Sequence, residues 1–389
     1  MAVDAPTPAP TPSAAPPLQR FDGRDLGPKP HIVVLGSSKV GNFVVTVPLL
    51  QALRRRYPQA ALDFWGSDLT RDFESRLDAV DWRISWDSAA PDLFQQLSEA
   101  ARVRQQQVGS VDLLVNCDGF NPLTQVLASW LRPRWVAGVA LAANGRRDVP
   151  WGDRPEQRFL ADPDWDSQAF LERYQGCFRS NYIAELFCRL AFLEPDFSHF
   201  DLPSEAPGFP VPDVLIHCTT TRAAKIWPFD RWQQVIDWCE RQSISIGLVG
   251  SAPSQQKQDY HAGAGEEQLL AGGYLQDLRG RTSLIQLAGA AKQARAVVSV
   301  DAGPLHIAAA VGTPTLAVVG NDANDVGASP IRLWMPRSAN VARTVSDVRC
   351  DGCDEHRFRN DGCVMDEHLC MLGVGAQQVI HWLQQVLQA

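Results

Sequence analysis

Short apolar runs alternate along this chain with longer stretches in which apolar residues return every three or four positions. Ile32 to Leu35 has no polar interruption, as expected of a parallel strand covered on both faces. Gly36 and Gly41 bracket the turn that follows, and Phe43, Val44, Val47, Leu50 and Leu53 then recur at helical spacing. Pro48 suits that helix if it begins only a few residues earlier, where backbone amides lack partners anyway. The alternation continues to Val139, with strand-like "ALDFWG", "VDLLVNC" and "RWVAGVA" and helix-compatible "VPLLQALRRRY" and "PLTQVLASWL". It predicts a parallel sheet with crossover helices. Asn144 to Pro212 is less regular, with one helix around "SNYIAELFCRLAFL", and reads as a linker. A second series follows: "DVLIHC", "SIGLVG", "AVVSVD" and "TLAVVG", with helices led by "FDRWQQVIDWCERQ" and "TSLIQLAGAAKQA". The expected fold class is α/β, two Rossmann-like domains facing across a cleft. The expected boundaries are an extended Pro/Ala-rich tail at 1–29, an N-terminal domain with linker at 30–205, a C-terminal domain at 206–345, and a Cys-rich segment with a final helix at 346–389.

Composition narrows the function classes. A net charge of −8 without lysine-arginine blocks gives no electrostatic footprint for nucleic acid. No apolar run approaches the roughly twenty residues of a spanning helix, and the start lacks a basic-then-apolar signal pattern, so a cytoplasmic location is expected. Nine cysteines, an odd number spread over 389 residues, do not read as a disulfide framework.

Two strand ends carry chemistry. In "RAVVSVDAGPLHIAAAVGTPTLAVVG", Asp301 stands at the carboxyl end of a strand and Pro304 where a first helical residue belongs. The amides of Ala302 and Gly303 then face outward, Gly303 admits a close ligand, and the helix end supplies positive potential, which together make a diphosphate cradle. His306, one turn in, is either a ligand contact or a packing histidine. In "LIHCTTTRAAKIWPFDRW", Thr219, Thr220 and Thr221 bring hydroxyls and amides, and Lys225 brings an ammonium suited to phosphate.

These segments resemble the heptosyltransferase-type family of bacterial glycosyltransferases. The resemblance rests on "SSKVGNFVVTVPLLQALRRRYP", with its Ser-Ser turn, glycine and Thr-x-Pro helix; on Lys225, Trp227 and Pro228 in a Lys-x-Trp-Pro; and on the run from Leu278 to Gly320. It implies the two-domain GT-B fold, a nucleotide-sugar donor of the ADP-heptose kind in the second half, and an acceptor in the first half beside Ser37, Ser38 and Gly41. The implied reaction is inverting and metal-independent transfer of a heptose or related sugar to a lipopolysaccharide-core or other envelope acceptor, with no catalytic cofactor. Two positions depart from the family pattern. Asn42 stands where the family carries the aspartate taken as base, and Ala302 where it usually has threonine. An amide accepts no proton at neutral pH, and general-base assistance contributes ~10²–10⁴-fold. Three readings follow: another carboxylate, Asp118 or Asp68, serves as base; Asn42 only orients the acceptor while leaving-group stabilisation carries the reaction; or the protein binds nucleotide-sugar without transferring it.

Remaining candidates concern metal and membrane. Cys350, Cys353, Cys363 and Cys370 are a four-thiol set for structural zinc, with buried thiols or a reversible disulfide as the other readings. "DPDWD", Asp162 to Asp166, reads as helix-capping rather than metal-binding. Because the implied acceptor is lipid-linked, peripheral contact with the inner face of the membrane is expected. Arg54, Arg55, Arg56, Arg132 and Arg134 are either headgroup contacts or solvated surface.

Overall fold

A computed structural model describes residues 18–320 apart from 143, 166–168, 198–199, 260 and 262, and residues 333–388 apart from 349, 351, 354–355 and 357–359. Among these, two six-stranded sheets form, all of whose paired strands are parallel. The first comprises β1 (Gln19–Arg20), β2 (His31–Leu35), β3 (Ala61–Gly66), β4 (Trp82–Ser85), β5 (Leu113–Asn116) and β6 (Trp135–Ala137), in the order β1-β6-β5-β2-β3-β4. The second comprises β7 (Val214–His217), β8 (Ile246–Leu248), β9 (Gln276–Asp277), β10 (Ala296–Val300), β11 (Thr315–Val318) and β12 (Val341–Thr344), in the order β12-β11-β10-β7-β8-β9. In both sheets the central strands are the unbroken apolar runs, buried along their whole length. Helices of eight residues or more cover the faces: α1 (Val40–Arg56), α2 (Leu93–Val108), α3 (Pro122–Trp130), α4 (Ile183–Leu190), α5 (Phe229–Arg241), α6 (Gly263–Ala271), α7 (Leu284–Gln293), α8 (Gly303–Ala310) and α9 (Ala376–Gln388). None is long and apolar enough to cross a membrane.

Local chemistry accounts for several helix starts. Asn121 accepts the Leu123 amide ahead of α3, and Ser283 and Gln286 form a reciprocal capping box at α7. The two halves are joined by packing of α1 against both α4 and α8, so one apolar cluster holds Phe43 and Leu50 from the first half with Ile307 and Ala308 from the second. The helix α4, expected in a linker, is therefore part of the core of the first half. The helix α9 packs on α5 through Val379, Ile380 and Leu383 and completes the second core.

Two expectations are corrected. The tail was expected to be extended through residue 29, but Gln19 and Arg20 pair with Trp135 and Val136, and Phe21 is buried. The Arg20 guanidinium donates to the carbonyls of Gly138 and Val149, which a solvated tail would not do; residues 1–17 lie outside the described residues. Second, Pro48 is not near the start of its helix. The helix α1 begins at Val40, so Pro48 sits inside it and deprives the carbonyl four residues back of its helical donor. Its burial with ten neighbours of the same helix, Phe43 to Leu53, offsets that loss.

Candidate functional site

The carboxyl ends of the two sheets meet at the first turn of α1 and the first turn of α8. Two glycines set the distance. A Cβ on Gly41 would lie 2.8 Å from the His306 ring, and one on Gly303 would lie 3.2 Å from the Val40 side chain. Both positions require the missing side chain for the halves to approach this closely. Among the residues expected on the acceptor side, Ser37 is buried, and its hydroxyl accepts a 2.8 Å hydrogen bond from the Asn42 amide Nδ2. Ser38 and Gly41 are half-buried beside it. Because Nδ2 donates to Ser37 and the backbone carbonyl accepts from Thr46, the side-chain oxygen Oδ1 of Asn42 is left to accept from a hydroxyl group. It orients such a group and takes no proton from it.

The two carboxylates suggested as substitutes differ sharply. Asp68 accepts from Ser85 at 2.6 Å and pairs with Arg71, and these interactions hold it below the usual carboxylate range. That makes it a poor base. Asp118 is half-buried two residues beyond β5, the neighbour of β2, and burial pushes its carboxyl up, against opposing contributions from Asn121 and from Lys39 of the α1 turn. A carboxylate raised in this way and standing next to the turn is suited to general-base work.

On the second half, Ala302 is the N-cap of α8 in extended conformation, and Pro304 lies in the first turn, so the cradle geometry expected from sequence is present. The Lys225 ammonium is paired: it sits 2.6 Å from the Asp301 carboxylate, which is 6% exposed. His306 Nε2 approaches the other Asp301 oxygen at 3.8 Å. Burial would raise Asp301, but the Lys225 charge and His306 overcome it and hold the carboxyl far below the ordinary range. Asp301 thus holds the Lys225 ammonium at the helix end, with His306 beside it. Thr219 and Thr220 are buried and Thr221 is exposed.

Sequence reasoning missed two side chains. The buried His217 uses Nδ1 against the Val249 carbonyl at 2.8 Å, leaving Nε2 without a partner, and burial keeps the ring neutral. Gln256 Nε2 is likewise buried and unpartnered, as are Thr219 Oγ1 and His306 Nδ1. A Cβ on Gly250 would touch both His217 and Gln256, so these two line one spot past the ends of β7 and β8. Buried polar atoms without partners cost about 1–3 kcal/mol each, and their concentration at one sheet edge marks a place built for a polar ligand. His217 is disguised by its place in an apolar strand, and Gln256 lies in a helix-like stretch without a motif.

The four C-terminal thiols share one neighbourhood. Burial first, and then the other three thiols, push Cys370 up to about 12; burial, with Cys363 and Cys350, also raises Cys353 against the hydrogen bond from Asn360. Among the described residues, however, no three metal-ligand side chains already converge on one point. Asp162 accepts from the Asp164 amide at 2.9 Å within a turn and pairs with Arg173; the next helix, Phe170–Arg173, has Ala169 as its N-cap with no side-chain cap, so Asp162 does not cap it, and Asp166 lies outside the described residues. Arg54 is engaged by Asp81 and by the carbonyls of Ala60 and Ala79, at the end of α1 remote from the cleft.

Two parallel Rossmann-like sheets whose carboxyl edges face each other across a cleft are the GT-B fold. Comparison with known proteins adds to this: residues 184–350 match Glycosyltransferase family 9 (heptosyltransferase). It is 23% identical over 378 residues to lipopolysaccharide heptosyltransferase 2 of Escherichia coli K12, a match spanning 92% of this chain and 98% of that protein. Among solved structures it is similar to a glycosyltransferase family 9 protein from Veillonella parvula, with a TM-score of 0.68 at 15% identity over 92% of this chain and 97% of that one. The ADP-heptose lipopolysaccharide heptosyltransferase II of Escherichia coli superposes with a TM-score of 0.61 at 16% identity, covering 92% and 98% of the two chains.

Proposed function

We propose that this protein transfers a heptose or related sugar from a nucleotide-sugar of the ADP-heptose kind to a lipopolysaccharide-core or other envelope glycan, with inversion and without a catalytic metal. The observation carrying this reading is the closure of the Asn42 turn onto the Lys225–Asp301–His306 group at the N-terminus of α8. The donor diphosphate lies on the amides of Ala302 and Gly303 with Lys225 beside it, and the acceptor hydroxyl rests against Oδ1 of Asn42. Asp118 takes the hydroxyl proton as the oxygen attacks the anomeric carbon, and the nucleoside diphosphate leaves toward Lys225 and the helix end. Lys225→Ala tests the donor half. Calorimetry should give at least tenfold weaker nucleotide-sugar binding, and unchanged affinity would overturn the assignment. Donor binding with no transfer to any lipid-linked acceptor would instead leave a silent binding protein as the correct reading.

A lipid-linked acceptor brings the first half to the inner face of the membrane. The exposed Phe120, Val126 and Trp130 on and before α3, followed by the exposed Arg132, support this contact better than the engaged Arg54. Flotation on anionic vesicles should fall with Val126→Asp combined with Trp130→Asp; indifference to both would remove the contact. The four-thiol set is further proposed as a structural zinc site that binding draws together.

A further inference from the structure

The loop carrying Thr219 to Lys225 is held from outside its own sheet, by residues 360–374, the segment that contains Cys363 and Cys370. The Ala224 amide donates to the Asp361 carbonyl at 2.8 Å, and the Ala224 carbonyl lies 3.1 Å from His368 Nε2. A carbonyl oxygen only accepts, so His368 Nε2 is the donor in this contact. Arg222 Nε donates to the Asn360 carbonyl at 2.9 Å, and the Trp227 indole donates to the Val374 carbonyl at 2.9 Å. His261, whose amide donates to the Thr220 carbonyl at 3.0 Å, also meets the Asp361 carboxylate at 3.0 Å. The loop is thus pinned at Thr220, Arg222, Ala224 and Trp227, all directly or through His261 to residues 360–374. Behind this contact the Asn360 amide reaches Cys353 Sγ at 3.3 Å and the Gly362 carbonyl at 2.6 Å.

We infer that residues 360–374 are positioning residues of the donor site, and that ligation or modification at Cys350, Cys353, Cys363 and Cys370 passes through Asn360 and Asp361 to Thr219–Lys225 as a change in nucleotide affinity. This rests on the second half being the donor half. Lys225 reaches Asp301 only while the loop keeps its path, so loosening residues 222–224 moves the ammonium away from the helix end. The acceptor turn of α1 makes none of these contacts and is unaffected.

The test uses Arg222→Ala, His368→Ala and the pair Cys353→Ser with Cys370→Ser in the full chain. Calorimetry with ADP, UDP and GDP as probes should give a Kd raised about five- to tenfold by each change, the effect expected from one or two lost hydrogen bonds. Hydrogen exchange should accelerate over residues 219–227 and stay unchanged over β2 and β5. Donor KM should rise while acceptor KM holds, and Arg222→Ala should add little once Lys225 is alanine. Unchanged nucleotide affinity and loop exchange in Arg222→Ala and His368→Ala would overturn the positioning role. A cysteine pair that alters only global stability would overturn the link to the thiols. A parent protein that binds none of the three nucleotides would overturn the donor assignment itself, and loop exchange alone would then decide whether the segment holds the loop.

Discussion

Replacing Gly41 by alanine probes how closely the halves must meet. The added methyl would lie 2.8 Å from His306 Cδ2, where ordinary contact begins at 3.4 Å, a deficit of about 0.6 Å. The ring has little room to retreat, because His306 is buried and its Nε2 faces Asp301. Either His306 swings off Asp301 or α1 and α8 separate by about that deficit. A misplacement of about 1 Å costs catalysis on the order of 10²-fold, so Gly41→Ala should lower kcat roughly ten- to fifty-fold. The shift also reaches the apolar cluster that α1 and α8 share, so thermal stability should fall by about 1–3 kcal/mol. Gly303→Ala meets Val40 at 3.2 Å, a milder conflict, and should lower the rate only a few-fold. The assay is transfer from the nucleotide-sugar at saturating donor, paired with thermal melting. Equal rates for the parent and Gly41→Ala, or a larger effect for Gly303→Ala, would refute the argument that this contact sets the reacting geometry.

Asp118→Asn should reduce transfer by ~10²–10⁴-fold without weakening donor binding, and in the parent the acidic limb of the rate profile should fall above the ordinary carboxylate range, since burial raises this group and the base works only when ionised. Stability should also vary with pH through Glu266, a buried carboxyl raised from 4.5 to about 7, chiefly by burial, despite its 3.1 Å contact with Arg279. The folded state holds this proton more tightly than the unfolded chain, so stability declines as pH rises from about 4.5 to 7, and Glu266→Gln should flatten that decline in denaturant melts. If the thiols hold zinc, elemental analysis should find about one equivalent per chain and chelation should lower the melting temperature; metal-free protein of full stability would point to buried thiols.

The sequence made the central strands legible because strands buried on both faces are written as unbroken apolar runs, as in Ile32–Leu35 and Leu113–Val115. The edge strands β1, β4, β9 and β12 went unread. They are two to four residues long and each carries polar or charged positions, since one side of each faces no further strand. The cradle at Ala302–Pro304 was readable because proline and glycine have few other uses at a helix start. The pairing of Lys225 with Asp301 was not, because the two are 76 positions apart and nothing local to either residue records the other. The same holds for the hold of Asn360 and His368 on the donor-side loop.

The two-residue strand at Gln19–Arg20 bears on how this protein behaves in solution. Beyond it, β6 would present a row of open backbone groups, the kind of border on which a second molecule can add a strand. Arg20, clasped by the carbonyls of Gly138 and Val149 with its guanidinium over Trp151, locks the border shut. A shortened chain that begins at residue 30 would keep its whole catalytic cleft and lose its seal. Its failing would be self-association through β6 rather than loss of chemistry.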